Sequence, residues 1–332
     1  MEPYLYFDGL IKLAKEISGD EIVHIGIRPY GFHAGNVIAL VVYPYLFCKY
    51  LEKNGKKPRL QFVISINDWE QDALDGPDYR KYPFNIYPKN TSLQFTKDDN
   101  GCCKSIVEHW EPIIENNLLK LKKRFPEISL KFVRNSELIT HPFCKKLLIE
   151  TIKNPKEQLN IFKEYSGKET LDNPIQFAGA ICPKCNRSHG ETSVIENDLI
   201  QWKCNECGMT SKGNFNDFQY WWYHKPMLLA RMEIFNIDIT LSGGDHFSEG
   251  DFRIRESFIE KYSPKTKEPK MLFTPTVIAL NGEKMSKSRD NTAFVDIEKF
   301  IKILDNYKDK DFYITEDLIL DKIDEKDYNN IF

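Results

Sequence analysis

Residues 21–36 read EIVHIGIRPYGFHAGN, and the organisation of the chain follows outward from this stretch. Ile22, Val23, Ile25 and Ile27 are β-branched residues suited to a strand, and they run into Pro29, Tyr30 and Gly31, which turn the chain. Behind the turn, residues 34–52 form a long apolar stretch followed by Lys53 and Gly55, the signature of a helix with a basic last turn. The order strand, turn, helix then repeats. Residues 60–66 are predicted as a second strand ending at Asn67 and Asp68. An amphipathic helix is predicted over 106–124, with Lys120, Lys122, Lys123 and Arg124 in its last turn, and a third strand over 128–134. Strands alternating with helices predict an α/β fold, a Rossmann-type parallel sheet with helices on its faces.

Between 72 and 101 the pattern dissolves into Pro, Gly, Asn and Asp, which predicts an insertion near 72–104. Residues 141–165 suggest two short helices broken at Pro155. A Trp- and Tyr-rich helix is expected over 218–235, a strand over 237–241, then Gly243-Gly244-Asp245-His246, and a further strand over 271–280. The expected division is 1–177 for the first half of the main domain, 178–214 for a small inserted ribbon, 215–295 for the second half, and 296–332 for a short helix and acidic tail.

Composition bounds the function. With 41% hydrophobic and 29% charged residues over 332 positions, the chain has the balance of a soluble globular protein and excludes wholesale disorder. The longest apolar run, 37–48, contains Pro44 and falls short of the roughly 20 residues a bilayer crossing needs. Residues 1–7, MEPYLYF, lack the basic and apolar regions of a signal peptide. A cytoplasmic location and no membrane partner are therefore expected. The net charge is -3, and residues 296–332 carry 11 acidic against 6 basic side chains, so no global basic field draws nucleic acid.

Eight cysteines divide into two groups. Cys48, Cys102, Cys103 and Cys144 are scattered, while Cys182-Pro-Lys-Cys185 and Cys204-Asn-Glu-Cys207 are two pairs 18 residues apart. That spacing matches a closed four-thiolate site for structural Zn2+, with Gly208 suited to the positive φ of the second turn. Such a site has no open coordination position, so the metal would hold a ribbon together without taking part in catalysis.

Two further motifs point to a nucleotide. In Pro29-Tyr30-Gly31-Phe32-His33-Ala34-Gly35-Asn36, Gly31 and Gly35 allow close approach of a ligand to the backbone. The helix start attracts phosphate, and His33 and Asn36 supply donors three residues apart. Taken alone, a loop histidine between turn glycines is an equally good reading. Asn281-Gly282-Glu283-Lys284-Met285-Ser286-Lys287-Ser288-Arg289 places two lysines three apart after an expected strand, able to reach a triphosphate and stabilise a departing pyrophosphate. A merely solvated loop is the alternative.

Together PYGFHAGN and KMSKS resemble the two ATP-binding signatures, HIGH and KMSKS, of class I aminoacyl-tRNA synthetases. The resemblance is nearest to the class I, archaeal-type lysyl-tRNA synthetases. Asn67-Asp68-Trp69 with Tyr79-Arg80-Lys81-Tyr82-Pro83 is similar to that family's DDYD and RKVP stretch, Trp221 to Met227 to its WRVDWPM, and Ser242 to His246 to its GKDH, so the similarity covers about residues 20 to 300. The resemblance implies ATP and Mg2+ as cofactors. It implies that His33, Asn36, Lys284 and Lys287 would carry catalysis. Gly31, Gly35, Gly243, Gly244, Asp245, Met285, Ser286 and Ser288 would line the nucleotide. Arg28, Tyr30, Asp68, Trp221 and His224 would face the amino acid.

Departures bear on the substrate. Ala39 stands where the family has an acid, His224 where it has an aspartate, Arg28 where it has a threonine, and Tyr30 where it has a serine. An ammonium pocket wants carboxylates, so an amino acid other than lysine is expected; Arg28 would suit a carboxylate, although a strand-end arginine facing outward is the alternative. Only 44 residues follow Ser288, without the family's C-terminal anticodon-binding region. The leading expectation is a free-standing ligase that makes an aminoacyl adenylate and passes it to tRNA or to another small-molecule or protein acceptor. A true lysyl-type synthetase charging tRNA through the acceptor stem, and an inactive binding or regulatory paralogue, are the alternatives. Lys120 to Arg124 and the set Arg253, Arg255, Lys261, Lys265 and Lys267 are candidate RNA contacts, or solvated faces.

Overall fold

The computed structural model describes residues 2–29, 34–69, 91–98, 101–166, 177–188, 190–222, 224–248, 250–263 and 265–274. The KMSKS segment, most of the expected insertion and the expected acidic tail lie outside the described residues. In chain order the first part holds β1 (Tyr4–Leu5), α1 (Tyr6–Glu16), β2 (Ile22–Ile27), α2 (Ala34–Val37), a π-helical turn at Ile38–Val42, α3 (Tyr43–Lys53), β3 (Gln61–Ile66), α4 (Ile106–Arg124), β4 (Ser129–Arg134), α5 (Pro142–Lys153) and α6 (Pro155–Ser166). The second part holds β5 (Ala178–Ala180), β6 (Gly190–Val194), β7 (Ile200–Cys204), β8 (Thr210–Gly213), β9 (Tyr220–Trp222), α7 (His224–Phe235), β10 (Ile239–Ser242), α8 (Gly244–Ser248), α9 (Asp251–Tyr262) and β11 (Lys270–Phe273).

Six strands form one sheet in the order β1-β11-β10-β2-β3-β4, and every pairing is parallel. This is the expected Rossmann-type α/β sheet. From β2 the chain builds outward through β3 to β4, and β10 then lies against the other side of β2. The reversal leaves a crevice beyond the carboxyl ends of β2 and β10, the usual ligand position in an open α/β sheet.

The two faces of this sheet differ in chemistry. Val23, Ile25 and Ile27 of β2, Phe62, Ile64 and Ile66 of β3, Ile239 and Leu241 of β10 and Leu272 of β11 enter one apolar core with α1, α3 and α4. The period of two along a strand sends their neighbours to the other face. There the register sets His24 beside Val63 and Thr240, and Gly26 beside Ser65. A parallel sheet covered on both faces is normally apolar on both. Here one face is polar at its centre.

Helix α4 shows how local chemistry sets boundaries. The Ser105 hydroxyl accepts from the Glu108 amide at 3.3 Å, a side-chain cap at the helix start. Ile106, Val107, Ile114, Leu118 and Leu121 are buried, and Lys122, Lys123 and Arg124 complement the negative end of the helix. The helix expected at 218–235 needs correction. Tyr220–Trp222 form strand β9, antiparallel to β5, and the helix starts at His224; bulky aromatics favour a pleated strand once a partner is at hand. Helix α1, which the reading of the sequence passed over, buries Phe7, Leu10, Leu13 and Ala14 at the helical spacing of i, i+3, i+6 and i+7.

Gly250 precedes α9 with φ 71, and a Cβ there would stand 2.1 Å from the Tyr165 carbonyl oxygen. Gly55 shares that conformation, φ 72, with nothing within 4 Å. Gly55→Ala is expected to cost about 1 kcal/mol, the strain of the left-handed region alone, and Gly250→Ala about 3 kcal/mol, since overpacking adds to it. Urea unfolding of both variants checks the difference; equal losses would contradict the close approach of α9 to the end of α6.

Candidate active site and metal centres

The crevice is built from two strand ends. Arg28 follows β2 and is exposed, Pro29 behind it is buried, and the helix that opens at Ala34 carries partly buried Asn36 in its first turn. Gly243 and Gly244 follow β10, where the His246 amide donates to the Gly243 carbonyl at 3.0 Å and the Thr274 amide to the Ser242 carbonyl at 2.9 Å. The helix from Ala34 runs through the π-helical turn to Lys53, so its positive end stands beside the carboxyl end of β2, an arrangement suited to phosphate. Gly31, His33 and Tyr30 lie outside the described residues, as do Lys284, Met285, Ser286, Lys287 and Ser288. Gly35, Asp245 and His224 are placed as helix residues only.

Asp68 and Trp221 occupy firm positions. Asp68 is buried, its two oxygens accept from the Ser136 amide and the Ser136 hydroxyl, and burial raises its carboxyl to about 6 against those bonds. Its carbonyl accepts from the Gln94 amide at 2.9 Å. Asp68 therefore ties β3 to the segments at 91–98 and 135–140. Trp221 is buried in β9 opposite Gly179, while its neighbour Trp222 packs on Trp69 with ring centroids 5.9 Å apart.

On the polar face, residues that no sequence motif marks come together. His24 is 2% exposed; its Nε2 stands 3.0 Å from the Ser65 hydroxyl and 3.1 Å from Nη1 of Arg231, a buried side chain of α7. Burial, with the charges of Arg231 and Arg255 adding to it, holds the imidazole well below its usual range. The ring is therefore neutral, accepts at Nε2 and carries its proton on Nδ1. Arg255 of α9 donates to the Ser242 hydroxyl at 3.1 Å and to the Met271 sulfur, so this arginine turns inward. Lys261 pairs with Glu157 and Lys267 with Asp238. Three of the five members of that proposed RNA-facing set thus have partners within the fold. The alternation His24, Gly26, Arg28 was the available signal in the sequence, hidden within an apparently apolar strand.

The four paired cysteines converge. Cys182 and Cys207 sulfurs are 3.6 Å apart, and so are those of Cys185 and Cys204; all four lie within 4.8 Å of one another. A zinc ion with sulfurs at about 2.3 Å in a tetrahedron spaces them at about 3.8 Å, so the residues fit the metal. Both turns follow one pattern. The Asn186 amide donates to the Cys182 carbonyl at 2.8 Å and the Gly208 amide to that of Cys204 at 3.1 Å, with φ 56 and 70 at these two residues. Asn186 thus does in the first turn what was expected of Gly208 in the second. The antiparallel sheet β6, β7 and β8 carries this centre.

Two of the scattered cysteines prove to be grouped. Asp98, Cys102, Cys103 and His109 bring one ligand atom each within 4.8 Å of the others. The Asp98 carboxylate accepts from the Cys102 and Cys103 amides at 2.9 and 3.0 Å, the His109 Nδ1 is 3.5 Å from its other oxygen, and Cys102 Sγ lies 3.1 Å from Nδ1. Hydrogen bonding to Cys103 and Asp98 pushes the Cys102 thiol up to about 12, the reverse of what a bound dication would do. Two sulfurs, one imidazole and one carboxylate are a donor set that zinc accepts, so this group could hold a second ion. The sequence hid it because the ligands are of three kinds and the last comes from the first turn of α4.

A parallel α/β sheet with a helix N-terminus and a glycine pair at its switch point is a fold suited to binding a nucleotide. The chain belongs to the class I tRNA synthetases: the family described as "tRNA synthetases class I (K)" matches residues 8–313. That family forms aminoacyl adenylates from an amino acid and ATP with Mg2+ and passes them to tRNA. No curated protein matches the chain. Among solved structures it is similar to tyrosyl-tRNA synthetase from Archaeoglobus fulgidus complexed with L-tyrosine (12% identity, 86% of this chain and 64% of that one, TM-score 0.41). It is also similar to tyrosyl-tRNA synthetase from Aeropyrum pernix (16%, 85% and 61%, 0.44) and to tryptophanyl-tRNA synthetase from Campylobacter jejuni (12%, 83% and 61%, 0.40). The chain spans less than two thirds of the length of these three structures. No described helix is long and apolar enough to cross a membrane.

Metal analysis of protein purified without chelator is expected to find the thiolate-bound zinc, with a second equivalent when the Asp98 group is filled. Cys204→Ser should lose the first, together with local order around 178–214, and His109→Ala should leave it in place. Zinc-free protein, or loss of all metal in the His109 variant, would contradict the two-centre arrangement.

Proposed function

We propose that the chain activates the carboxylate of an amino acid with Mg-ATP as an aminoacyl adenylate and transfers it to an acceptor. The observation that carries this is the switch point itself: the helix start behind β2 and the glycine pair behind β10 follow the carboxyl ends of adjacent parallel strands, where a nucleotide is held in such sheets. In this reading the helix N-terminus and Asn36 take ATP phosphates, with Gly31 and Gly35 permitting the approach and His33 adding a donor. Gly243, Gly244 and Asp245 face the ribose and base. Lys284 and Lys287 hold the pyrophosphate as negative charge builds on it, with Met285, Ser286 and Ser288 completing the loop around the nucleotide. Mg2+ would supply neutralisation of the phosphates.

The chemistry asks for no protein nucleophile. The substrate carboxylate attacks the α-phosphate, pyrophosphate leaves, and the protein contributes alignment and fixed positive charge. The ribbon at 178–214 then separates two halves of one catalytic unit, 1–177 and 215–295. The amino acid would face Arg28, Tyr30, Trp221 and His224, with Asp68 holding the neighbouring segments, and we read it as an amino acid other than lysine. Lysine is the second reading, supported by the letter K, its one-letter code, in the family description. The acceptor is tRNA engaged through its acceptor end, or a simpler acceptor.

Amino-acid-dependent exchange of labelled pyrophosphate into ATP, run over all amino acids with and without tRNA, tests the reading. Lys287→Ala is expected to lower exchange by about a hundredfold or more, the scale of losing one pre-organised donor, with ATP binding largely retained; His33→Ala should weaken the same step. Unchanged exchange in both variants would refute the assignment of the ATP site.

A further inference from the structure

Two side chains stand next to each other on the polar face, one from β2 and one from β10. His24 is opposite Thr240 in the parallel register, and the two residues are 2% and 1% exposed. Nε2 of His24 lies 3.1 Å from Nη1 of Arg231 and 3.0 Å from the Ser65 hydroxyl. A guanidinium can only donate, so Nε2 accepts and the ring proton sits on Nδ1. That Nδ1–H has no hydrogen-bond partner among the described residues, and neither has the Thr240 hydroxyl. Buried polar groups are ordinarily paired. Adjacent strands are about 4.8 Å apart, so one small polar group reaches both. A way in lies beside them. Gly26 is exposed although Ile25 and Ile27 on either side of it are buried. The other face of the sheet is the apolar core, so this exposed surface belongs to the polar face. It stands about 7 Å beyond His24 toward the crevice. A Cβ built on Gly26 would be 3.8 Å from Cε1 of His24, the ring carbon bonded to Nδ1. The gap left by the absent side chain therefore borders the imidazole.

We propose that the gap at Gly26 admits an uncharged, oxygen-terminated side chain of the substrate amino acid, a hydroxyl or a carboxamide, whose oxygen bridges His24 Nδ1 and Thr240 Oγ1. One N–H and one O–H match such an oxygen, which accepts from both. A carboxylate offers about four lone-pair sites; two bonds in a buried place are a poor exchange for its hydration. An ammonium group has donors only. It would find the Thr240 oxygen alone, under the same charges of Arg231 and Arg255 that keep a proton off the His24 ring. An apolar side chain would leave both groups unpaired. His24 and Thr240 thus select the substrate, and Arg231 is a positioning residue, since its donation to Nε2 keeps the proton on Nδ1. This inference rests on the adenylate-forming reading for the reaction, and on the two unpaired groups beside the gap for the chemistry of the ligand.

Two measurements separate the inference from that reading. In pyrophosphate exchange, an amino acid with a side-chain hydroxyl or carboxamide is expected to give the highest specificity constant, and which of the two leads tells these sources of the oxygen apart. It should be preferred by about 10⁴-fold over an analogue of similar shape without the oxygen, such as phenylalanine for tyrosine or leucine for asparagine, the scale for a site built to bond that group. Thr240→Val keeps the shape and removes the hydroxyl. It is expected to shrink the preference by about tenfold, through a higher KM for the oxygenated amino acid alone, and Thr240→Ser to restore it. Calorimetric ATP binding shows that the fold and nucleotide site persist in both variants. Exchange supported best by a charged or apolar amino acid, or a Thr240→Val change that moves both members of the pair alike, would overturn the inference and leave adenylate formation standing. If no amino acid supports exchange, the adenylate-forming reading falls, and calorimetry with the same amino acids decides the pocket alone. Binding of an oxygenated amino acid that is lost in Thr240→Val and regained in Thr240→Ser upholds it; absence of binding, or binding indifferent to the hydroxyl, overturns it.

Discussion

Strand β2 has to satisfy two environments at once, and the architecture around it follows from how it does so. Its odd-numbered residues, Val23, Ile25 and Ile27, lie in the apolar core with α1, α3 and α4. Its even-numbered residues His24 and Gly26 lie on the face that α7 and α9 cover, through Arg231 and Arg255. A buried polar group without a partner is costly, so the helices on that face must bring hydrogen-bonding side chains. The same requirement makes this face of the sheet polar, with Arg231 and Arg255 turned toward it.

Burying arginines in this way is expensive unless their donors are used, and it does little for stability compared with an apolar replacement. Arg231 meets this requirement with its contact to His24 Nε2, and Arg255 with its bonds to Ser242 and Met271. The neutral state of His24 belongs to the same logic: burial disfavours the charged ring, and a second cation so close to Arg231 would also be repelled. On the opposite face, where nothing but packing is asked of the strand, the residues are Val and Ile throughout.

The two metal-competent groups illustrate a contrast of origin. The four thiols of the ribbon meet through two turns of the same local design, Cys182 to Asn186 and Cys204 to Gly208, each closed by its own backbone hydrogen bond. The group at Asp98 depends instead on one buried carboxylate that gathers the amides of Cys102 and Cys103 and on the helix that presents His109. The first can be recognised wherever the spacing occurs, whereas the second exists only when the loop and α4 have both been placed.

Much of the fold was legible because it is written in local periodicity. The strands β2, β3 and β4, the bounds of α4 and the break between α5 and α6 at Pro155 follow from alternation, capping and proline, all of which act within a few residues. The paired cysteines were legible for the same reason, while the glycine turn at 30–33 lies outside the described residues. Strand β1 was not, because two residues display no period, and it forms only against β11 more than 260 residues later; the Trp-rich segment was misread as helix because its partner β5 lies about 40 residues upstream. The sequence by itself determined the α/β class and the thiolate centre, whose determinants are neighbours along the chain. Only the tertiary structure decided which face of β2 is polar, that Arg231 stands under Gly26 and that Asp98 collects a second set of ligands. His24 and Arg231 are 207 residues apart, and a contact between groups that distant leaves no periodic trace in either segment.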